Sequence, residues 1–213
     1  MFFLKMLNHT HPKNEKREYN ENDHPKFVPL ESKQLLLAII PKVGCTNWKR
    51  VFMMVNGDVT DKQKEAVNEF GLTRGINGEN ATAYGRTHFI RNLQKPEVKK
   101  MVEKREKMVV VREPFQRLLS AYRNKIQPNR TDFFGDISKH ISKTFRNDKK
   151  DKSVRSATFE EFLKYYVDKN EKMNEHWQTY NQLVLPCVYN YDYIFKLNDI
   201  TNESNWLFQE RPS

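Results

Sequence analysis

The stretch that decides the fold is Leu35-Leu36-Leu37-Ala38-Ile39-Ile40-Pro41-Lys42-Val43-Gly44-Cys45-Thr46-Asn47-Trp48-Lys49-Arg50. Its first six residues are apolar without alternation, which fits a strand covered on both faces. Pro41 and Gly44 then mark a tight turn. From Trp48 onward Val51, Phe52 and Val55 recur at the spacing of a helix stripe, and Gly57 marks the stop. A strand, a short loop and a helix in that order put helix N–H groups beside Lys42, an arrangement suited to an anion.

A second corner repeats the pattern. Met108-Val109-Val110-Val111 reads as a buried strand, and Arg112-Glu113-Pro114-Phe115-Gln116-Arg117-Leu118-Leu119-Ser120-Ala121-Tyr122-Arg123 follows it. Pro114 suits the first turn of a helix. Phe115, Leu118, Leu119 and Tyr122 form the expected apolar stripe, leaving Arg117, Ser120, Arg123 and Asn124 off it. Arg112, at a strand end, can offer two parallel N–H groups to a phosphate, and Ser120 lies two helical turns on. Arg117 has an alternative partner in Glu113, four residues back. Strands alternating with helices imply an α/β fold with a mainly parallel sheet, and ligands of such sheets bind at the carboxyl ends of the strands. Both corners lie there.

Together these segments resemble the Golgi carbohydrate sulfotransferases, in particular the chondroitin and dermatan 4-O-sulfotransferase group. Three further stretches carry the same resemblance: Phe159-Glu160-Glu161-Phe162, Asn174-Glu175-His176-Trp177-Gln178, and Pro186-Cys187 followed by Tyr191-Asp192. The likeness runs from about Leu35 to about Phe208. It implies a P-loop-like, three-layer sulfotransferase fold and a sulfate donor, 3′-phosphoadenosine 5′-phosphosulfate (PAPS). By resemblance, Lys42, Val43, Gly44, Cys45, Thr46, Asn47 and Trp48 hold the 5′-phosphosulfate. The segment Arg112, Glu113, Pro114, Phe115, Gln116, Arg117, Leu118, Leu119 and Ser120 holds the 3′-phosphate. Lys49 and Arg50 either assist or are solvated. The implied acceptor is a glycosaminoglycan, at the 4-hydroxyl of N-acetylgalactosamine in chondroitin, and the implied location is the lumenal side of the Golgi membrane. A second cysteine usual in the family three residues before Cys187 is Val184 here, so that local bridge is lost.

Chemically, transfer requires clamped phosphates, a stabilised leaving oxygen and a base for the acceptor hydroxyl. Lys42 supplies a point charge for the leaving oxygen. His176 is the first choice of base, because imidazole exchanges protons near neutral pH; Glu175 and His88 are alternatives. No metal-ligand spacing occurs, and the Walker A pattern of ordinary ATPases is absent.

The 213 residues suffice for one domain with a real core. Charged residues make up 30%, mean hydropathy is −0.85 and net charge is +10. Such a surplus favours a polyanionic partner. A nucleic acid would satisfy charge alone, but no nucleic-acid motif is present. The competing reading is a catalytically inactive, sulfotransferase-like protein that binds glycan or nucleotide. No stretch has the length of a membrane span, and the expected C-terminal part of the family is short. Cys45 and Cys187 read as free thiols. Sequons at Asn8, Asn80, Asn129 and Asn202 are compatible with a secretory route.

Along the chain, residues 1–30 read as a flexible lead-in and residues 31–213 as the sulfotransferase domain. Asp58 to Thr87 reads as a loop-rich excursion. The basic run 127–156, with Lys139, Lys143, Arg146, Lys149, Lys150, Lys152 and Arg155, reads as a mobile surface segment able to hold an acidic chain. Thr158 and Glu161 form a capping box for a helix bearing Phe159, Phe162, Leu163 and Tyr166. Tyr189 to Leu197 reads as a strand, and Thr201 as the cap of a last short helix.

Overall fold

A computed structural model of the chain describes residues 24–146, 156–168 and 174–210. It opens with β1 (Phe27–Leu30), a single 3-10 turn (Glu31–Lys33) and β2 (Leu35–Ala38). The first crossover carries α1 (Cys45–Asn56), α2 (Asp61–Phe70), α3 (Leu72–Gly75), α4 (Gly78–His88) and α5 (Pro96–Lys104), and leads to β3 (Glu106–Val111). The second carries α6 (Pro114–Ala121) with a π-helical turn (Tyr122–Ile126), then α7 (Phe133–Phe145), α8 (Phe159–Asp168) and α9 (Tyr180–Val184), and leads to β4 (Tyr193–Lys196). Finally come α10 (Ile200–Asn205) and a second π-helical turn (Trp206–Glu210).

The sheet order is β1-β2-β3-β4. β2 and β3 are parallel, with Ala38 opposite Val109, and β3 and β4 are parallel, with Val111 opposite Lys196. β1 alone runs antiparallel, Phe27 facing Ala38. The α/β class and the mainly parallel sheet are therefore as expected. Every side chain of β2 is buried, which explains its lack of alternation.

The chain forms two compact units. One runs to Val111 and resumes at Thr179; the other is Arg112–Gln178. The first contains the sheet and a core that includes Phe27, Leu36, Trp48, Phe52, Met108 and Phe195. The second has its own core around Tyr122, Ile126, Ile141, Phe162 and Trp177.

Several expectations change. The lead-in ends before residue 30: Phe27, Val28 and Leu30 are fully buried in β1. Pro25 and Pro29 are compatible with this, because β1 is an edge strand, where the missing N–H of Pro29 need cost no ladder bond. Residues 1–23 lie outside the described residues. The excursion 58–87 is helical rather than loop-rich. Its polar residues are start signals: Thr60 and Gln63 close a capping box on α2, and the Asn77 side chain accepts from Asn80 N–H on α4. Gly85 reads as punctuation in the sequence but lies within α4, where a Cβ would come 2.7 Å from Lys49 Cε; here glycine permits close packing of helices. The basic run likewise contains α7, capped by Asp132 and buried at Ile141. Lys149, Lys150, Lys152 and Arg155 lie outside the described residues.

The Thr158–Glu161 box forms as read: Thr158 N–H donates to Glu161 and Glu161 N–H to Thr158 Oγ1. Arg146, expected on a mobile surface, instead donates from Nε to buried Glu161 at 2.8 Å. The last strand is shorter than expected, Tyr193–Lys196. Thr201 lies inside α10 and does not cap it, since the helix starts at Ile200. On α1 the buried stripe is Trp48, Phe52 and Met53, while Val55 is exposed.

Candidate functional site

The first corner is built at the carboxyl end of β2. Lys42 has φ +73° and Gly44 φ +80°, so the loop reverses the chain through left-handed positions. Lysine rarely adopts this conformation, and such strain collects at functional loops. At Gly44 a Cβ would lie 3.3 Å from Leu197 Cδ1, so glycine is favoured by both backbone and space. Gly44 is the N-cap of α1. It has no side chain to accept from the first-turn N–H groups, and that turn holds no acidic residue. By contrast α2 carries its own cap. The start of α1 thus keeps its partial positive charge for an external acceptor.

Around this corner the side chains divide. Val43 and Trp48 are buried, Trp48 edge-on to Phe52 and tilted against Phe195 and Phe208. They hold the loop in the core and offer only backbone to a ligand. Lys42, Cys45 and Thr46 are half-buried and Asn47 is exposed. Lys49 and Arg50 are not solvated. Both are buried. Arg50 Nε donates to the Ile76 carbonyl at 2.7 Å and Nη1 to Asn47 Oδ1; Lys49 Nζ lies 5.8 Å from the centroid of the Phe89 ring. Arg50 therefore braces α1 and orients Asn47.

The second corner belongs to the Arg112–Gln178 unit and uses its helix differently. Glu113 caps α6, accepting from Phe115 N–H at 3.0 Å and Gln116 N–H at 2.6 Å. Its carboxylate occupies the N–H groups that the sequence reading offered to a phosphate. The residues left for that role are the half-buried Arg112 and Ser120, while Pro114 has no N–H to give. Phe115, expected in the core stripe, is 79% exposed. Leu118 is buried and Leu119 half-buried.

Arg117 is the clearest correction. It is buried, and its guanidinium donates to the carbonyls of Gln178 (2.6 Å) and Glu175 (3.1 Å). These two bonds hold the turn that carries His176. Asn174 shapes the same turn: its Oδ1 accepts from His176 N–H, and its carbonyl from the N–H groups of Trp177 and Gln178. Trp177 is buried, its ring edge-on to Phe162 at 5.6 Å. The half-buried His176 ring packs on Phe134 at 5.5 Å. Lys125 Nζ lies 4.3 Å from the centroid of the same Phe134 ring, and burial pushes the Lys125 pKa down, with Arg130 adding to the effect. The sequence held a signal for Arg117: it falls in step with Leu118, Ala121 and Tyr122 on the buried side of α6, as Phe115 does not.

His88, an alternative base, stacks on Tyr84 at 4.0 Å at the end of α4, and its Nδ1 lies 2.8 Å from Thr87 Oγ1 and 3.0 Å from the Tyr84 carbonyl. Those contacts are structural. Cys45 and Cys187 are both free thiols. Among the described residues no helix is long and apolar enough to cross a membrane.

The family model for the sulfotransferase family matches residues 25–210, and the chain belongs to that family. Its relatives are carbohydrate sulfotransferases. Mouse carbohydrate sulfotransferase 11 is 32% identical over 204 residues, covering 91% of this chain and 55% of the mouse protein. Zebrafish carbohydrate sulfotransferase 14 is 31% identical over 182 residues, covering 83% of this chain and 45% of its own length. Human carbohydrate sulfotransferase 9 is 28% identical over 184 residues, covering 83% and 38%. The chain thus spans about half the length of these relatives. No solved structure matches it.

Proposed function

We propose that the chain carries out sulfuryl transfer from PAPS to a carbohydrate hydroxyl, with a glycosaminoglycan as acceptor and the 4-hydroxyl of N-acetylgalactosamine in chondroitin as the position modified. The observation that carries the reading is the α1 corner. A strained Lys42 and a left-handed Gly44 deliver an uncapped helix N-terminus at the end of a parallel strand. That is a binding place for a doubly charged phosphosulfate.

In this reading an oxygen–sulfur bond forms from the acceptor hydroxyl as the bond from sulfur to the bridging phosphate oxygen breaks. Lys42 and the N–H groups near Thr46 meet the charge left on that oxygen, and Thr46 adds a hydroxyl donor. His176 takes the hydroxyl proton. Arg112 and Ser120 hold the 3′-phosphate of the donor. Arg117 is left out of the phosphate set because it is buried and donates to two carbonyls. The names of the relatives support a carbohydrate acceptor. Golgi residence is proposed on the same footing.

The test is a calorimetric titration with 3′-phosphoadenosine 5′-phosphate, comparing the native chain with Lys42→Ala and Arg112→Ala, followed by radiolabelled sulfate transfer to unsulfated chondroitin. Loss of one charged contact is expected to weaken binding by about 2–5 kcal/mol. A folded native chain that binds no nucleotide refutes the donor assignment. Binding without transfer to any glycan moves the chain to the class of inactive binding proteins.

A further inference from the structure

At the amino-terminal end of the parallel strands, the opposite end from the Pro41–Trp48 loop, the sheet-containing unit has a cavity of about 710 Å³. Lys107, the second residue of β3, lines it and is buried. Its backbone is fixed by a reciprocal pair with Asp192: Lys107 N–H donates to Asp192 Oδ2, and Asp192 N–H to the Lys107 carbonyl, both at 2.8 Å. Its ammonium donates to the Arg105 carbonyl at 2.7 Å and makes no ion pair among the described residues. A buried ammonium is normally paired with an anion. This one has a carbonyl and an open cavity. Elsewhere the lining sets the apolar surfaces of Leu93, Val102 and Val188 and the ring of Tyr189 among charged side chains of both signs, with Lys99, Lys104 and Arg105 alongside Glu103, Glu106 and Asp192. The size is that of a small-ligand site, and the largely polar and charged lining suits a polar ligand.

We propose that this cavity is a second binding site, in which Lys107 receives the carboxylate of a hexuronate sugar while Tyr189 and its apolar neighbours carry the ring. The choice of an acidic sugar rests on the glycosaminoglycan reading above; the preference for an anion rests on the Lys107 ammonium, which donates to a carbonyl and, among the described residues, to no carboxylate. Burial lowers the Lys107 pKa, with Asp192 and Glu103 drawing it part of the way back, and a bound carboxylate would stabilise the charged form. An acidic chain anchored here is held away from the α1 corner, so the site serves retention of a polymer and not the transfer step.

The experiment is an NMR titration of the full chain with glucuronate, with glucose and acetate as controls, repeated on Lys107→Met. The expected result is saturable binding of glucuronate, with shifts at the amides of Tyr189, Asn190 and Asp192. Glucose should bind at least tenfold more weakly, acetate should lack the Tyr189 shift, and Lys107→Met should lose at least tenfold in affinity. Methionine keeps the length of the side chain and removes its charge, so the variant is expected to fold. The native-chain shift map stands without it. Shifts confined to residues 41–48, or equal affinity for glucose, or unaltered binding by Lys107→Met, would overturn the proposal. Glucuronate binding by a chain that transfers sulfate to no glycan would leave this site standing and remove the transferase reading instead.

Discussion

Arg117 gives the sharpest test of how the second corner works. Replacing it with methionine keeps an aliphatic side chain in the same buried place and removes two donors. Each is a hydrogen bond from a charged group to a main-chain carbonyl, worth about 1.5–3 kcal/mol. Burial leaves the abandoned carbonyls with little access to water, so the sum, about 3–6 kcal/mol, is the expected loss of stability of the Arg112–Gln178 unit. That is a large part of the 5–15 kcal/mol typical of a domain. Lysine at the same position reaches one carbonyl and should recover about half. The assay is urea unfolding combined with amide exchange at Trp177 and Gln178, whose N–H groups bond the Asn174 carbonyl and so report on the turn directly. Affinity for 3′-phosphoadenosine 5′-phosphate should change less than threefold under conditions where the variant is folded. A variant that loses under 1 kcal/mol, keeps both amides protected and binds the nucleotide tenfold more weakly would refute this reasoning and return Arg117 to the phosphate.

Other outcomes follow from the same contacts. Glu161→Gln breaks the pair with Arg146 and should cost about 3 kcal/mol, the low end for a buried pair, because the amide oxygen can still accept from Thr158 N–H. The pH dependence of native stability should carry the same signature. Burial raises the Glu161 pKa, but hydrogen bonds from Arg146 and Thr158 outweigh it and the net shift is downward from the ordinary value of 4.5. Its contribution is therefore complete above about that pH and is lost as pH falls through the lower folded value. Chemical denaturation between pH 5 and pH 2 should show a shallower acid slope in the glutamine variant. Gly44→Ala places a Cβ at φ +80° and should cost about 1–2 kcal/mol; calorimetry should show weakened nucleotide binding as the α1 N-terminus shifts.

The parts of the fold legible in the sequence were those where local signals agreed. β2 and β3 are continuous apolar runs, and turn residues bound β2 before α1. The Thr158–Glu161 box needs only four residues to form. β1 was hidden because it is short, and its prolines imitate a loop; what makes it a strand is pairing with Leu35–Ala38. The helices between Asp58 and Thr87 were hidden because their faces are largely polar and their glycines serve packing. At the candidate site, the backbone of the α1 corner could be read because its reversal is written as Pro41 and Gly44. The second corner could not. Whether a glutamate caps its own helix, or an arginine turns inward to carbonyls 58 and 61 residues away, depends on tertiary packing that local spacing does not encode. Glu113 immediately before Pro114 was nonetheless a cap in plain sight.

The Arg117–Gln178 bond also bears on how the chain assembles. Arg112–Gln178 interrupts the sheet between β3 and β4, so β4 cannot pair until that whole segment has left the ribosome. A chain bound at Arg117 near one end and at Gln178 at the other presents β3 and β4 with a short effective loop. Because closure entropy grows with the logarithm of loop length, the roughly fourfold shortening is worth about 1.2 kcal/mol. The inserted segment should therefore condense before the sheet is complete, and the clasp that fixes the His176 turn also sets the order of folding.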